Sequence, residues 1–171
     1  MNEDLGAISI AYSLKLARRS KHSPTRLWRA ITNATEVESW MGFPARIDLR
    51  PGGEYTVDFG SHAEGDVLDG IIIKVEPERL LRYAWGHSVV DWTIESDGDG
   101  CRHVFVQAGL TPRDLPDEEG LVAGWHDFLD SLDDFLDGTE RPQNSAGTER
   151  WEALKRQYRP LLAAVLGDTL R

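Results

Sequence analysis

The chain has 171 residues, 40% hydrophobic and 28% charged, which is typical of one globular domain with a single substantial core. A formal net charge of −10 repels nucleic-acid phosphates and anionic membrane surfaces, so we expect neither as a partner. The single cysteine, Cys101, excludes an internal disulfide and a cysteine-based zinc site, and no apolar run approaches the ~20 residues of a membrane span.

The first predicted element is a half-buried β-strand beginning at Ile8. Its evidence is a period-two alternation of apolar residues, namely Ile10, Tyr12, Leu14 and Leu16. The acidic residues 1–5 lead into this strand and lack the zones of a signal peptide, so we expect a cytoplasmic protein. Two short helices should follow: Ser23 before Pro24 is a favourable N-cap, and Thr35 with Glu38 has the spacing of a capping box.

The middle of the chain has the sequence pattern of strands joined by short turns, which predicts an antiparallel meander. Residues 45–49 and 54–59 form a predicted hairpin around the turn Arg50-Pro51-Gly52-Gly53. Further strands are predicted at residues 67–75 and 80–85, and two more flank the turn Asp97-Gly98-Asp99-Gly100. Their apolar series are Val67, Ile71, Ile73 and Val75, then Val90, Trp92 and Ile94, and finally Val104, Val106, Ala108 and Leu110.

A long amphipathic helix should follow and end at about Asp137, with Gly138 as its stop. At ~100° per residue its apolar side chains lie within an arc of about 120°, and they are Leu121, Trp125, Phe128, Leu129, Leu132, Phe135 and Leu136. The aspartates at 127, 130, 133, 134 and 137 lie opposite. We interpret them as a solvated face, with a docking surface for a basic partner as the alternative.

The end of the chain divides into a linker, residues 139–147, and a helical extension, residues 148–171. Pro160 should kink or split that helix. Its apolar stripe consists of Trp151, Leu154, Tyr158, Leu161, Leu162, Val165 and Leu166. A short helix cannot bury such a stripe alone, so the stripe should contact the main domain, a second copy in a homodimer, or a protein partner.

Several segments resemble the Aha-type branch (activator of Hsp-90 ATPase homologue-like) of the SRPBCC, or START-like, superfamily. They are the helices of residues 23–41, the turn Arg50-Pro51-Gly52-Gly53-Glu54-Tyr55, the strand pair that includes Glu76-Pro77-Glu78 and ends in Tyr83-Ala84-Trp85, and the helix containing Gly124-Trp125. The resemblance implies an α+β helix-grip fold over residues 8–138, in which a curved antiparallel sheet of six or seven strands wraps the long helix. The superfamily binds lipids, hormones and polyketides and includes cyclases and hydroxylase components. The extension after Gly138 departs from the short bacterial pattern.

The helix-grip cavity is therefore the predicted ligand site. Its expected lining is Trp40, Phe43, Tyr55, Phe59, Tyr83, Trp85, Trp92, Trp125, Phe128, Leu129 and Leu132. Core packing alone would account for any one of these rings, whereas the set as a whole suits a hydrophobic or aromatic ligand. The first hypothesis is thus non-enzymatic binding of a small apolar molecule, with no cofactor.

Two other hypotheses remain open. An enzyme of the cyclase, aromatase or hydrolase type could use the same cavity, with Tyr83 or His87 as proton donor. An interaction module of the co-chaperone kind could use the acidic helix face or the extension. The five histidines show no metal-ligand spacing, so we expect no metal site.

Overall fold

The computed structural model describes residues 11–60, 67–115, 120–139 and 147–167, without the side chains of residues 67–69. Its elements are β1 (Tyr12–Ser20), α1 (Pro24–Thr32), α2 (Ala34–Met41), β2 (Ala45–Ile47), β3 (Glu54–Asp58), β4 (Val67–Glu76), β5 (Leu80–Trp85), β6 (Ser88–Asp97), β7 (Gly100–Leu110), α3 (Leu121–Leu136) and α4 (Glu149–Gly167). The strands form one antiparallel sheet in the order β1-β7-β6-β5-β4-β3-β2. The predicted α+β helix-grip architecture is confirmed.

The core lies between one face of the sheet and the helices α1, α2 and α3. Leu129 and Leu132 of α3 are fully buried, as are Leu27 and Ile31 of α1. Burying an aliphatic side chain of this size stabilises the fold by roughly 1.5–3 kcal/mol. The apolar stripe of α3 therefore fixes the helix against the sheet, as its periodicity predicted.

The two short helices share a single residue at their junction. Ser23 caps α1 as predicted, because its side chain accepts a hydrogen bond from the Arg26 N–H. The predicted cap of the second helix is wrong: Asn33, not Thr35, accepts from the Glu36 N–H at 3.1 Å. Since α1 ends at Thr32, Asn33 ends one helix and begins the next, which leaves Thr35 inside the first turn of α2.

The face of β7 that points into the core is opposite to the predicted one. The buried side chains of β7 are Cys101, His103, Phe105, Gln107 and Leu110, whereas Val104, Val106 and Ala108 are half-buried on the outer face. A register shift between Tyr12 and Ser13, opposite Gly109 with its φ of 86°, changes the parity and returns Leu110 to the interior. Both faces of this strand carry apolar residues, so alternation alone predicted the wrong inner face.

Strand β4 shows a similar deviation. Ile72 is buried, while Ile71 and Ile73, which the sequence placed in the apolar series, are 59% and 48% exposed. The register with β5 shifts between Ile72 and Lys74, and this irregularity brings Val75 back against the core. The apolar series of β4 was therefore only partly predicted.

The C-terminal helices begin and end close to the predicted positions. Gly138 follows α3 with a φ of 70°, and its N–H donates to the Phe135 carbonyl, which confirms it as the stop. Helix α4 is continuous through Pro160, so the prediction of a split helix is wrong. It packs against α3. The predicted start of the first strand, residues 8–10, and the linker residues 140–146 lie outside the described residues.

Among the helices that the structure describes, none combines the length and the apolar character needed to cross a bilayer.

Candidate functional site

Five predicted rings meet at the rim of the core, between the chain after α2, the end of β3 and the middle of α3. We call Phe43, Phe59, Trp85, Trp125 and Phe128 the mouth cluster. Ring centroids lie 4.7 Å apart for Phe43 and Phe59, 5.7 Å for the two tryptophans, and 5.8 Å for Trp125 and Phe128. The phenylalanines are half-buried, whereas Trp85 and Trp125 are only 7% and 5% exposed. The cluster therefore has three outer rings and two inner ones.

A second group of rings, the deep cluster, fills the interior. It comprises Trp40, Tyr55, Tyr83, Trp92 and Phe105, none more than 2% exposed. The two tyrosines stack with centroids 4.1 Å apart, and Trp40 meets Trp92 edge-on at 6.5 Å. Phe105 joins the two clusters, at 5.1 Å from Trp92 and 4.2 Å from Trp125. The sequence prediction missed Phe105 because it assigned the wrong face of β7.

The polar groups of the deep cluster are bonded within the protein. The Tyr55 hydroxyl donates to the Ile31 carbonyl at 3.0 Å, and the Trp92 indole donates to the Tyr83 hydroxyl at 3.4 Å. Burial raises the pKa of Tyr55 and of Tyr83 well above the ordinary value for a phenol. Both hydroxyls therefore stay protonated and act as neutral hydrogen-bonding groups.

A chain of buried hydrogen bonds runs from the Trp125 indole to the backbone of Trp85. The Trp125 indole donates to Gln107 Oε1 at 2.7 Å, and Gln107 Nε2 donates to the Ser88 hydroxyl at 2.8 Å. Ser88 in turn donates to the Trp85 carbonyl at 2.7 Å. Sequence reasoning did not find Gln107, although it shares its parity with Phe105 on β7. These bonds hold the Trp125 indole in one orientation and connect it to the backbone of Trp85.

The two candidate proton donors are not brought together. Strand β5 ends at Trp85, and His87 lies on the following turn with 61% of its side chain exposed. Its Nε2 pairs with Asp114 at 3.0 Å, while Tyr83 is buried in the deep cluster. An acid–base pair of Tyr83 and His87 is therefore absent from this arrangement. Within the described part of the chain, no cluster of side chains has the composition to hold a metal ion.

A different histidine occupies the interior. His103 is completely buried, and neither of its ring nitrogens has a hydrogen-bond partner. Its ring lies 5.9 Å from that of Trp92 at an interplanar angle of 24°. Burial, with a smaller contribution from the charge of Arg18, lowers the pKa of His103 to about 4, so the imidazole is neutral near pH 7. The sequence analysis assigned His103 no role.

Three of the five aspartates on the acidic side of α3 pair with arginines of the same chain, which corrects the interpretation of these three as a solvated face. Arg18 of β1 contacts Asp130 at 2.6 Å and Asp133 at 3.0 Å. Arg150 of α4 contacts Asp127 at 3.1 Å and also pairs with Asp130. Asp127 is only 7% exposed. These carboxylates serve internal packing between β1, α3 and α4.

Comparisons with known proteins agree with this architecture. A family model described as Activator of Hsp90 ATPase homolog 1-like protein matches residues 21–137, which ends where α3 ends. Protein MLL2253 from Mesorhizobium loti is 26% identical, with a TM-score of 0.66 over 76% of this chain and 100% of that chain. None of the curated proteins matches the sequence.

Two further solved structures cover more of the chain. CalU16 from Micromonospora echinospora is 24% identical over 89% of each chain, with a TM-score of 0.71. EF2215 from Enterococcus faecalis, a protein of unknown function, is 16% identical over 90% of this chain and 86% of that chain, with a TM-score of 0.70. At these identities the similarity shows the fold alone. With the family model matching most of the chain, the protein belongs to the Activator of Hsp90 ATPase homolog 1-like family, a branch of the SRPBCC superfamily.

Proposed function

We propose that the protein binds a small apolar ligand between the sheet and α3, that the ligand enters at the mouth cluster, and that it is not chemically changed. The observation that carries this proposal is the contrast within the cluster. Three half-buried phenylalanines contact one another, while the Trp125 indole behind them is oriented by a hydrogen bond to Gln107. The Phe43 ring, which only van der Waals contacts retain, can rotate outward, and a ligand can then pack between Phe128 and the fixed Trp125 indole.

The size of the ligand follows from the energies involved. Moving Phe43 outward breaks its ring contacts with Phe59 and Phe128, each worth about 0.5–1.5 kcal/mol. A single ring that buries about 150–250 Å² recovers about 4–6 kcal/mol at ~25 cal/mol per Å². Association itself costs at least about 4 kcal/mol. One ring therefore gains little, and the site favours ligands of two or more rings.

The enzyme hypothesis and docking on the acidic face of α3 have less support from the same geometry. An acid–base mechanism needs donors that converge on one point, whereas Tyr83 is buried and His87 is exposed on a turn. A docking surface on α3 needs free carboxylates, whereas Asp127, Asp130 and Asp133 pair with arginines of the same chain.

A titration with N-phenyl-1-naphthylamine, a neutral probe that fluoresces in apolar surroundings, tests the proposal. We expect saturable binding with one probe per chain. Because Phe128 supplies one wall of the site, Phe128→Ala should weaken the affinity about fivefold or more. When the probe is added, the NMR chemical shifts of the backbone amides near Phe43, Phe59 and Phe128 should change.

Phe135→Ala is the matched control. Phe135 lies on the same helix and is also half-buried, but it stacks under Arg26 rather than in the mouth cluster. Its removal should leave the probe affinity within twofold of the wild type. Equal weakening by both variants would mean that the probe senses loosening of the fold, and absence of saturable binding to the wild type would refute the proposal.

A further inference from the structure

The imidazole of His103 is a buried polar group that the fold leaves unpaired. Within the described residues, its Nδ1 and Nε2 are the buried side-chain nitrogen or oxygen atoms without a hydrogen-bond partner. Leaving such a group unpaired costs about 1–3 kcal/mol, and a native fold rarely accepts that cost without a reason. Leucine or phenylalanine at this position would avoid the cost, so the imidazole requires an explanation.

Among the residues that the structure describes, the surroundings of His103 do not supply a hydrogen-bond partner. Its strand neighbours are Arg18 on β1 and Ile94 on β6, and Trp92 lies against its ring. Arg18 donates instead to Asp133 and to the His126 carbonyl, and it pairs with Asp130. The imidazole therefore keeps both its donor and its acceptor unused on the side of the sheet that faces α3.

A line of contacting rings connects this imidazole to the mouth cluster. Successive centroids lie 5.9 Å apart from His103 to Trp92, 5.1 Å from Trp92 to Phe105, and 4.2 Å from Phe105 to Trp125. A ligand that packs along this line from the mouth reaches the imidazole only if it is elongated, with at least two rings in sequence.

We infer that His103 is the polar anchor of the ligand site, and that it hydrogen-bonds an uncharged hydroxyl or carbonyl group at the inner end of an elongated aromatic or polycyclic ligand. This inference rests on the proposed function. A neutral imidazole offers one donor and one acceptor, which matches either group. A cationic end would meet the charge of Arg18, and an anionic end would have to be desolvated close to Asp130 and Asp133.

The test compares two probes of equal shape, 4-phenylphenol and 4-methylbiphenyl, whose ends differ only by a hydroxyl and a methyl group. We expect the wild type to bind 4-phenylphenol about fivefold to tenfold more tightly, the gain of one buried hydrogen bond. In His103→Leu this preference should disappear, while the affinity for 4-methylbiphenyl stays within twofold. His126→Leu, a change at a partly buried histidine on the α4 side of α3, should keep the preference.

A second measurement does not depend on the folding of the variant. In wild-type protein with ¹⁵N-labelled histidine, 4-phenylphenol should shift the ring nitrogen signals of His103, and 4-methylbiphenyl should not. Equal affinities for the two probes, or a preference that survives in His103→Leu, would overturn the anchor while leaving the proposed function intact. Failure of the wild type to bind either probe would overturn both.

Discussion

Gln107 shows how one buried polar residue can determine the shape of an apolar site. Its amide receives the Trp125 indole N–H and donates to Ser88, so the orientation of a ring on α3 depends on a side chain of β7. Gln107 is 3% exposed, so water cannot replace either bond. We therefore treat it as a positioning residue for the mouth cluster.

Gln107→Leu should lower the free energy of unfolding by about 1–3 kcal/mol, because it leaves the buried Trp125 N–H without an acceptor. Urea denaturation followed by circular dichroism measures this loss. In a Trp125→Phe background the same change should cost clearly less, since the donor is already gone. A loss of equal size in both backgrounds would show that the Gln107–Trp125 bond contributes little.

The buried side chains show where sequence analysis succeeds and where it fails, and the failures lie on β7. The eleven side chains expected in the interior all lie in the core cluster or pack against it, because large apolar side chains have few other places to go. His103, Phe105 and Gln107 were missed. On β7 the inner face carries histidine and glutamine while the outer face carries valines, so hydrophobicity favoured the wrong parity. Apolar alternation therefore predicts the wrong inner face for a strand whose buried side chains form a hydrogen-bond network.

At the scale of elements, α4 is attached to α3 by one large ring, by polar contacts and by Leu162 and Leu166, which pack against a buried cluster that includes Val122 of α3. The Trp151 ring lies so close to α3 that a Cβ added at Gly120 would be 2.6 Å from it, and one at Gly124 would be 3.1 Å away. His126 Nδ1 and the Tyr158 hydroxyl form a hydrogen bond of 2.7 Å. The small residues of α3 thus create the space that Trp151 occupies.

The predicted apolar stripe of α4 is wider than the surface that α3 covers. Leu154 is buried, whereas Leu161 and Val165 are 62% and 44% exposed. One neighbouring helix covers an arc of limited width, so a stripe of seven apolar residues cannot be buried by α3 alone. Pro160, which removes one backbone donor, did not interrupt the helix. Periodicity therefore predicted the helix but not which of its residues would be covered.

Trp151→Ala should loosen α4 without unfolding the rest of the chain. Removing the ring leaves α4 with fewer apolar contacts on α3, so its amides should exchange with deuterium at least tenfold faster than in the wild type. Hydrogen-exchange mass spectrometry measures this directly.

Leu161→Ala is the control for that experiment, because it removes an exposed side chain from the same helix. It should change the exchange rates of α4 by less than twofold. Acceleration of α1 and α2 together with α4 in Trp151→Ala would contradict the local attachment and indicate that α4 unfolds only with the whole domain.

On the scale of the whole molecule, the net charge of −10 hides a local balance. Arg18 joins the edge strand β1 to Asp130 and Asp133 of α3, and Arg150 joins α4 to Asp127 and Asp130. Two arginines thus connect β1 and α4 to α3. The neutral imidazole of His103 is the strand neighbour of Arg18 in this network, and its burial makes the stability of the fold sensitive to acid.

The stability of the protein should fall as the pH decreases from ~6.5 to ~4. The unfolded chain protonates His103 near its ordinary pKa of 6.5, whereas the folded chain resists protonation until a pKa of about 4. Over that window the unfolded state binds the extra proton, so unfolding becomes easier by roughly 1.4 kcal/mol per pH unit, or about 3 kcal/mol in total. Above pH ~6.5 neither state binds this proton, so the loss is absent and the stability no longer depends on the titration of His103.

Urea denaturation of the wild type and of His103→Leu at pH 7, 5.5 and 4.5 measures this dependence. The variant should lose much less stability than the wild type between pH 7 and 4.5. Burial also lowers the pKa of His126, so this group also makes the stability fall as the pH decreases. Asp133, whose pKa burial raises, acts in the opposite direction. These groups are present in both proteins, so the difference between the two curves isolates His103. Parallel curves would mean that His103 is protonated or solvated in the folded protein, and such a histidine could not serve as a neutral anchor in a dry site.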